Sequence, residues 1–227
     1  MARILQPYRL NGFQFFREWF AEACERAGFS RRVDLRLPWS LKVLLGKSGL
    51  VFPVWRRKKL LVCSGGRPEY FSWPWCYFHE IVPVVWDCWP KWQDDLVRFV
   101  LRNRVGTIFC TASQTAEAVK AACPWVDAVW LPEGVDVSAY PCGGRLSDRE
   151  IDILEVGRFL QTVHQAIVGH DFGRTIRHEY PQGGLLFPDQ ASYTEGLRRS
   201  RICICYPRCD TNPEEAGEIE TMTQRYW

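Results

Sequence analysis

Short apolar runs alternate with longer amphipathic stretches along most of this chain. Leu60–Cys63, Ile81–Trp86, Thr107–Cys110 and Ala128–Leu131 are short apolar segments bounded by Gly, Pro, Ser or Asp, the pattern of buried strands. Between them lie helical patterns. Pro90 suits a first helical turn, and Trp92, Leu96, Phe99 and Val100 then share one face with Arg98 and Arg102 outward. Ser113 reads as the cap of a helix from Gln114 to Cys123, with Pro124 just past its end. Earlier, Asn11–Ala27 repeats Phe13, Phe16, Phe20, Cys24 and Ala27 at helical spacing and stops at Gly28. That apolar face suits either the core or a membrane surface, the latter helped by Arg9, Arg17, Arg31 and Arg32. Residues 30–58 give a weaker pattern. Leu41–Leu45 suits a helix, and no first strand with a Gly-rich loop is recognisable before Leu60.

The pattern breaks and restarts between Leu131 and Arg158. The run ending at Leu131 stops at Pro132, and Gly134 supplies a turn, read as a position of positive φ. A Pro/Gly/Ser/Asp-rich loop follows, and Ile151–Val156 starts a new strand. This predicts a first domain over residues 1–138, a linker over 139–150 and a second domain over 151–227. In the second, a helix is expected over Leu160–Val168 and a short strand at Leu185–Phe187. Asp189 caps a helix through Arg199, and Ile202–Tyr206 forms a strand in which Cys203 and Cys205 share a face. Asp210–Glu218 reads as an acidic loop and Glu220–Trp227 as a helix start. Strand–helix alternation of this kind predicts an α/β fold with parallel sheets.

Charge and composition add limits. The net charge is +3, but residues 1–60 hold 13 Lys and Arg against 4 Asp and Glu, so the first segment either meets an anionic partner or presents a solvated basic face. The 10 Cys form no Cys-x-x-Cys pair and the four His are scattered, so no zinc spacing is present and no metal is expected. No apolar run approaches the roughly 18 residues of a membrane span, and Arg3, Arg9 and Arg17 interrupt any signal peptide. Reduced thiols in the cytoplasm are the expected setting.

Several residues sit where chemistry is done in such folds. Asp87 falls at the carboxyl end of a strand, as a turn cap or as an acceptor-side or catalytic group. Ser64-Gly65-Gly66-Arg67 follows a strand but lacks Gly-x-Gly-x-x-Gly, so a simple turn is favoured. Trp73, Trp75, Trp86, Trp89 and Trp92 suit core or cleft wall, with sugar stacking as the sharper alternative.

Three motifs carry a family resemblance: Ser113-Gln114-Thr115, Pro132-Glu133-Gly134-Val135-Asp136 and Leu154-Glu155-Val156-Gly157-Arg158. Together they resemble the inter-domain region of GT-B glycosyltransferases of the retaining, group 1 or family 4-like kind, over about residues 60–227. The resemblance implies two Rossmann-like domains with parallel sheets. It places the acceptor on the first and the nucleotide-sugar donor on the second. Glu220 matches the first Glu of the family's Glu-x₇-Glu motif, and seven residues follow it through Trp227. On that match the chain is expected to be a truncated member with an incomplete second domain, either an active transferase or, lacking half of its donor site, inactive by itself.

The resemblance implies Glu220 as a catalytic residue, beside Asp87 singled out by its strand end, and Gly157, Arg158, Thr221, Thr223 and Gln224 as donor contacts. It makes Gly134 and Asp136 the domain-switch turn. The family's Lys shortly after Gly-Arg has no counterpart in Phe159–His164, which leaves His164 or Arg225 to take its place. The donor is a co-substrate, and no cofactor or metal is implied. The function expected is transfer of a sugar from a nucleotide donor to a glycan or lipid-linked acceptor, with retention, in the cytoplasm or at the inner membrane face. The alternative is a non-catalytic nucleotide-binding or accessory subunit. Nucleic acid is not an expected partner, because the aromatics cluster outside the basic run.

Overall fold

Alternation of side chains along six short strands builds the first part of the molecule. A computed structural model describes residues 3–6, 15–33, 38–47, 58–67, 72–134, 138, 144–184 and 186–219. The chain divides into two units, one formed by Met1–Glu133 with the segment beginning at Glu214, the other by Gly134–Pro213. In the first, β1 (Arg3–Gln6), β2 (Ser30–Val33), β3 (Lys59–Ser64), β4 (Glu80–Val85), β5 (Thr107–Cys110) and β6 (Asp127–Trp130) form one sheet in the order β2-β1-β3-β4-β5-β6. Every neighbouring pair is parallel.

Both faces of this sheet are covered. Ile4, Leu61, Cys63, Val82, Val84 and Trp86 pack on one face with Ala21 and Cys24 of α1 (Phe15–Arg26). Leu5, Leu60, Val62, Ile81 and Val85 pack on the other with α3 (Pro90–Asn103) and α4 (Ser113–Ala122), through Leu96, Phe99, Val100, Ala116 and Val119. Between α1 and α3 in the chain lies α2 (Trp39–Lys47). Burial on both faces is why β3 and β4 read as unbroken apolar runs. Each such Leu, Ile or Val contributes about 1.5–3 kcal/mol. β1, which the sequence pattern does not reveal, lies inside the sheet with Ile4 and Leu5 buried. α4 begins at Ser113 itself: Ala112 occupies the cap position and no side chain caps the helix, so Ser113 is not the cap.

The second unit has a smaller sheet. β7 (Ile151–Glu155) is central, flanked by β8 (His178–Glu179) and β9 (Ser200–Ile204), all parallel. Cys205 therefore lies just past β9 rather than on a strand face with Cys203. The helices are α5 (Gln161–Gly169), α6 (Gln190–Arg198) and α7 (Arg208–Thr211). α6 opens on the expected Asp189 cap: Ser192 N–H donates to Asp189 Oδ1 at 2.7 Å, and Asp189 N–H donates to Ser192 Oγ at 3.3 Å. The core is Ile151, Leu154 and Val156 with Leu186, Phe187, Tyr193 and Leu197 packed around it. Leu186 and Phe187 thus serve the core from a loop and are not a strand, and the third strand is the polar pair His178–Glu179.

A charged lattice ties the three strands. Asp152 accepts from Arg174 at 2.7 Å, from Arg201 at 2.5 Å and from the Arg177 backbone N–H at 3.0 Å. Glu150 accepts from Arg177 and Arg199. The stretch Asp210–Glu218, expected as a loop, holds the end of α7 and a further turn, α8 (Pro213–Ala216). Among the described residues no helix is long and apolar enough to cross a membrane.

Candidate functional site

In a parallel sheet all strands end at one edge, and the loops that follow form the usual ligand rim, above all where strand order reverses. In the first unit that reversal is between β1 and β3. β3 ends in Ser64-Gly65-Gly66, and the buried Ser64 hydroxyl has no hydrogen-bond partner among the described residues. The neighbouring strand end presses close. Trp86 N–H donates to Ser64 O at 2.8 Å, and a side chain on Gly66 would lie 2.6 Å from the Trp92 ring and 2.9 Å from Cys88 Cα. Asp87 lies on this rim, exposed, with φ +50°. A non-glycine residue in that region carries strain of about 1–3 kcal/mol, a feature concentrated at functional positions. Trp75, Trp86 and Trp89 are buried, while Trp73 and Trp92 pack half-buried against the core. The Trp cluster is therefore mainly core. Arg67 and Lys91 approach the Trp92 ring at 5.2 and 4.9 Å from its centre.

The second unit presents its own rim at the end of β7. Gly157 takes φ +72°, a conformation that favours glycine, and turns the chain to Arg158. Exposed Arg158 donates through Nε to Thr211 Oγ1 at 3.1 Å, and Thr211 donates to Pro207 O at 3.3 Å. The loop after β7 is thus tied to the one after β9.

Behind this turn, the last residue of β7 is a fully buried carboxylate. Glu155 Oε2 lies 2.5 Å from His164 Nδ1 of α5 and 3.0 Å from His178 Nε2 of β8. Its other oxygen, Oε1, is buried with no hydrogen-bond partner among the described residues. The two imidazole side chains are only 12% and 10% exposed. Aromatic rings fix them: Phe159 and Tyr180 lie 4.7 and 4.5 Å from the His164 ring, and Tyr180 lies 4.8 Å from His178. Burial, followed by the nearby charges of Glu155, Asp210 and Cys205, pushes the Tyr206 phenol up. His178 also lines an open cleft of about 380 Å³ with Glu179, Tyr180, Gln182, Gly184 and Leu186. One carboxylate and two imidazoles are a donor set for a divalent transition metal. The three ligand atoms lie within 4.8 Å of one another.

Of the residues singled out from sequence, Asp87 lies on the first rim, and Gly157 and Arg158 lie on the second. Gly134 is exposed and does not take positive φ; a side chain there would meet nothing within 4 Å, so its turn does not require glycine. Asp136, Glu220, Thr221, Thr223 and Gln224 lie outside the described residues. The described residues just before Glu220 pack on the first unit. Ala216 and Ile219 are buried, Glu215 pairs with Lys91 at 2.5 Å, and Gln114 donates to Glu218 O at 3.2 Å. The cluster around Glu155 escapes a reading by motif, because His164 and His178 are nine and 23 residues further along. The one local signal is an acidic residue set directly among Ile153, Leu154 and Val156, since a buried carboxylate demands compensation. Compared with protein-family models, with curated proteins and with solved structures, the chain finds no match in any of the three.

Proposed function

We propose that the chain is a glycosyltransferase of GT-B architecture that moves a sugar from a nucleotide-sugar donor to a glycan or lipid-linked acceptor with retention. The observation that carries this reading is Arg158. It lies on the rim of a second parallel sheet, directly after β7 and its Leu154–Arg158 motif. A nucleotide diphosphate leaves with two negative charges, and a guanidinium fixed at a strand end is suited to meet them. The bond to Thr211 orients Arg158 before the donor arrives. In this reading Gly157 lets the backbone approach the donor, and Thr221, Thr223 and Gln224 offer further donor contacts. Glu220 meets the sugar hydroxyls. Asp87, held with φ +50° on the first rim, serves the acceptor side. In the same reading Gly134 and Asp136 are the domain-switch residues. The leaving charge is met by Arg158 rather than by a metal. The basic first 60 residues would hold the enzyme to anionic lipid at the inner membrane face.

The test is saturation-transfer NMR of the full chain with UDP-, GDP-, dTDP- and ADP-sugars, followed by product analysis. One nucleotide class is expected to bind saturably, and Arg158→Ala to weaken it about tenfold or more, the worth of a charge-assisted bond. Binding without transfer assigns the chain to the alternative, a nucleotide-binding or accessory subunit. Failure of every nucleotide sugar to bind ends both readings.

A further inference from the structure

We propose that Glu155, His164 and His178 form a binding site for one divalent transition-metal ion of the zinc class, and that this ion fastens β7, β8 and α5 together. The inference stands apart from the transferase reading and rests on four features. The first is the donor set, two imidazole nitrogens and a carboxylate from three different elements. The second is distance. Ligand atoms around one tetrahedral zinc are about 3.3 Å apart, given bonds near 2.0–2.1 Å. Glu155 Oε2 stands 2.5 and 3.0 Å from the two nitrogens, and all three atoms lie within 4.8 Å of one another, so side-chain shifts on the order of a bond length set them around one ion.

The third feature is the unsatisfied oxygen. Glu155 is 0% exposed, and its Oε1 has no hydrogen-bond partner among the described residues. A buried carboxylate with an idle oxygen is costly unless a cation faces it. The fourth is orientation and access. Phe159 and Tyr180 hold the His164 ring, and His178 forms a wall of the open cleft, which gives an ion a way in.

The full chain, prepared without a histidine tag and freed of metal by chelator dialysis, is titrated with Co²⁺ and then with Zn²⁺. One equivalent of cobalt is expected, with visible d–d bands and no intense near-ultraviolet thiolate charge-transfer band, and zinc displaces it. Zinc should also raise the thermal midpoint. Glu155→Gln, His164→Gln and His178→Gln should each weaken uptake by about 100-fold or more, at least the cost of losing an outer-shell partner. The wild-type titration decides even where a variant fails to fold. No uptake by the folded wild type overturns the proposal and leaves a carboxylate hydrogen-bonded to two imidazoles. A thiolate band, which would place the ion on cysteines, overturns it too, as does uptake unchanged in the two histidine variants.

Discussion

At Gly66 two loops meet at the carboxyl edge of the first sheet with no room between them. An added methyl would stand 2.6 Å from the Trp92 ring and 2.9 Å from Cys88 Cα, while at Gly65 the nearest atom, Trp86 O, is 3.9 Å away. Adjacent glycines therefore have different duties: one admits a close approach and the other merely continues the turn. Backbone at Cys88 cannot retreat cheaply, because Cys88 and Trp89 are buried in the body of the unit. Gly66→Ala is expected to cost about 1–3 kcal/mol, the range for overpacking. Gly65→Ala should stay within about 0.5 kcal/mol. Urea unfolding followed by Trp fluorescence separates the two, and equal losses would contradict the packing argument. The same crowding bears on Asp87, whose carbonyl would lie 3.2 Å from that methyl. Its left-handed backbone is held by neighbours that cannot move, which is how strain persists at a rim residue.

Packing between elements makes its own demands in the second unit, where α6 lies under the Phe187 ring. A side chain on Gly196 would fall 2.2 Å from Phe187 Cζ, so the helix carries a glycine where propensity favours almost anything else. Gly196→Ala should destabilise the unit by about 1–3 kcal/mol. Combined with Phe187→Leu it should cost less than the sum of the two single changes, a coupling that a double-mutant cycle in urea measures. The strands of this unit are also joined by charge. The Arg177 backbone N–H, then Arg174 and Arg201, hold the Asp152 carboxyl down at about 2 from its ordinary 3.8. A depressed folded value means stability that is complete above the unfolded pKa and lost as pH falls through the folded one. Far-UV unfolding curves should therefore weaken from about pH 4 down to about pH 2, and Asp152→Asn should flatten part of that decline. Glu150, lowered chiefly by Arg199, supplies a further part.

These elements differ in how plainly the sequence announces them. β3 and β4 are readable because burial on both faces leaves a continuous apolar run. β1 offers only Ile4 and Leu5, and β8 only His178 and Glu179, so their strand character comes from neighbours in the sheet. Strand-end residues such as Asp87 and Arg158 are legible as rim positions, since that is a local property. The convergence of Glu155, His164 and His178 is not, because sheet order and helix packing bring them together.

At the scale of the whole chain, the polypeptide leaves the first unit near Glu133 and rejoins it from Glu214. The returning segment is built into that unit. Ala216 is 0% and Ile219 4% exposed, and a side chain on Gly217, which takes φ +56°, would lie 3.0 Å from Pro90 Cγ. Its polar anchors are the Lys91–Glu215 pair at the start of α3 and the Gln114 bond to Glu218 O at the start of α4. The pair is part-exposed and contributes modestly, so burial of Ala216 and Ile219 is the larger contribution. A substitution late in the chain should then be felt in the first unit. Ile219→Ala should lower that unit's stability by about 2 kcal/mol or more, the usual cost of emptying a buried Ile site. Ten of the 11 Trp precede residue 133, so intrinsic fluorescence reports chiefly on the first unit. The Trp unfolding midpoint of Ile219→Ala is expected to move to lower urea, and that of Lys91→Ala by a smaller step. An unmoved Trp transition in Ile219→Ala would mean that the segment does not pack there in solution. The first unit would then be complete without the residues that follow β9.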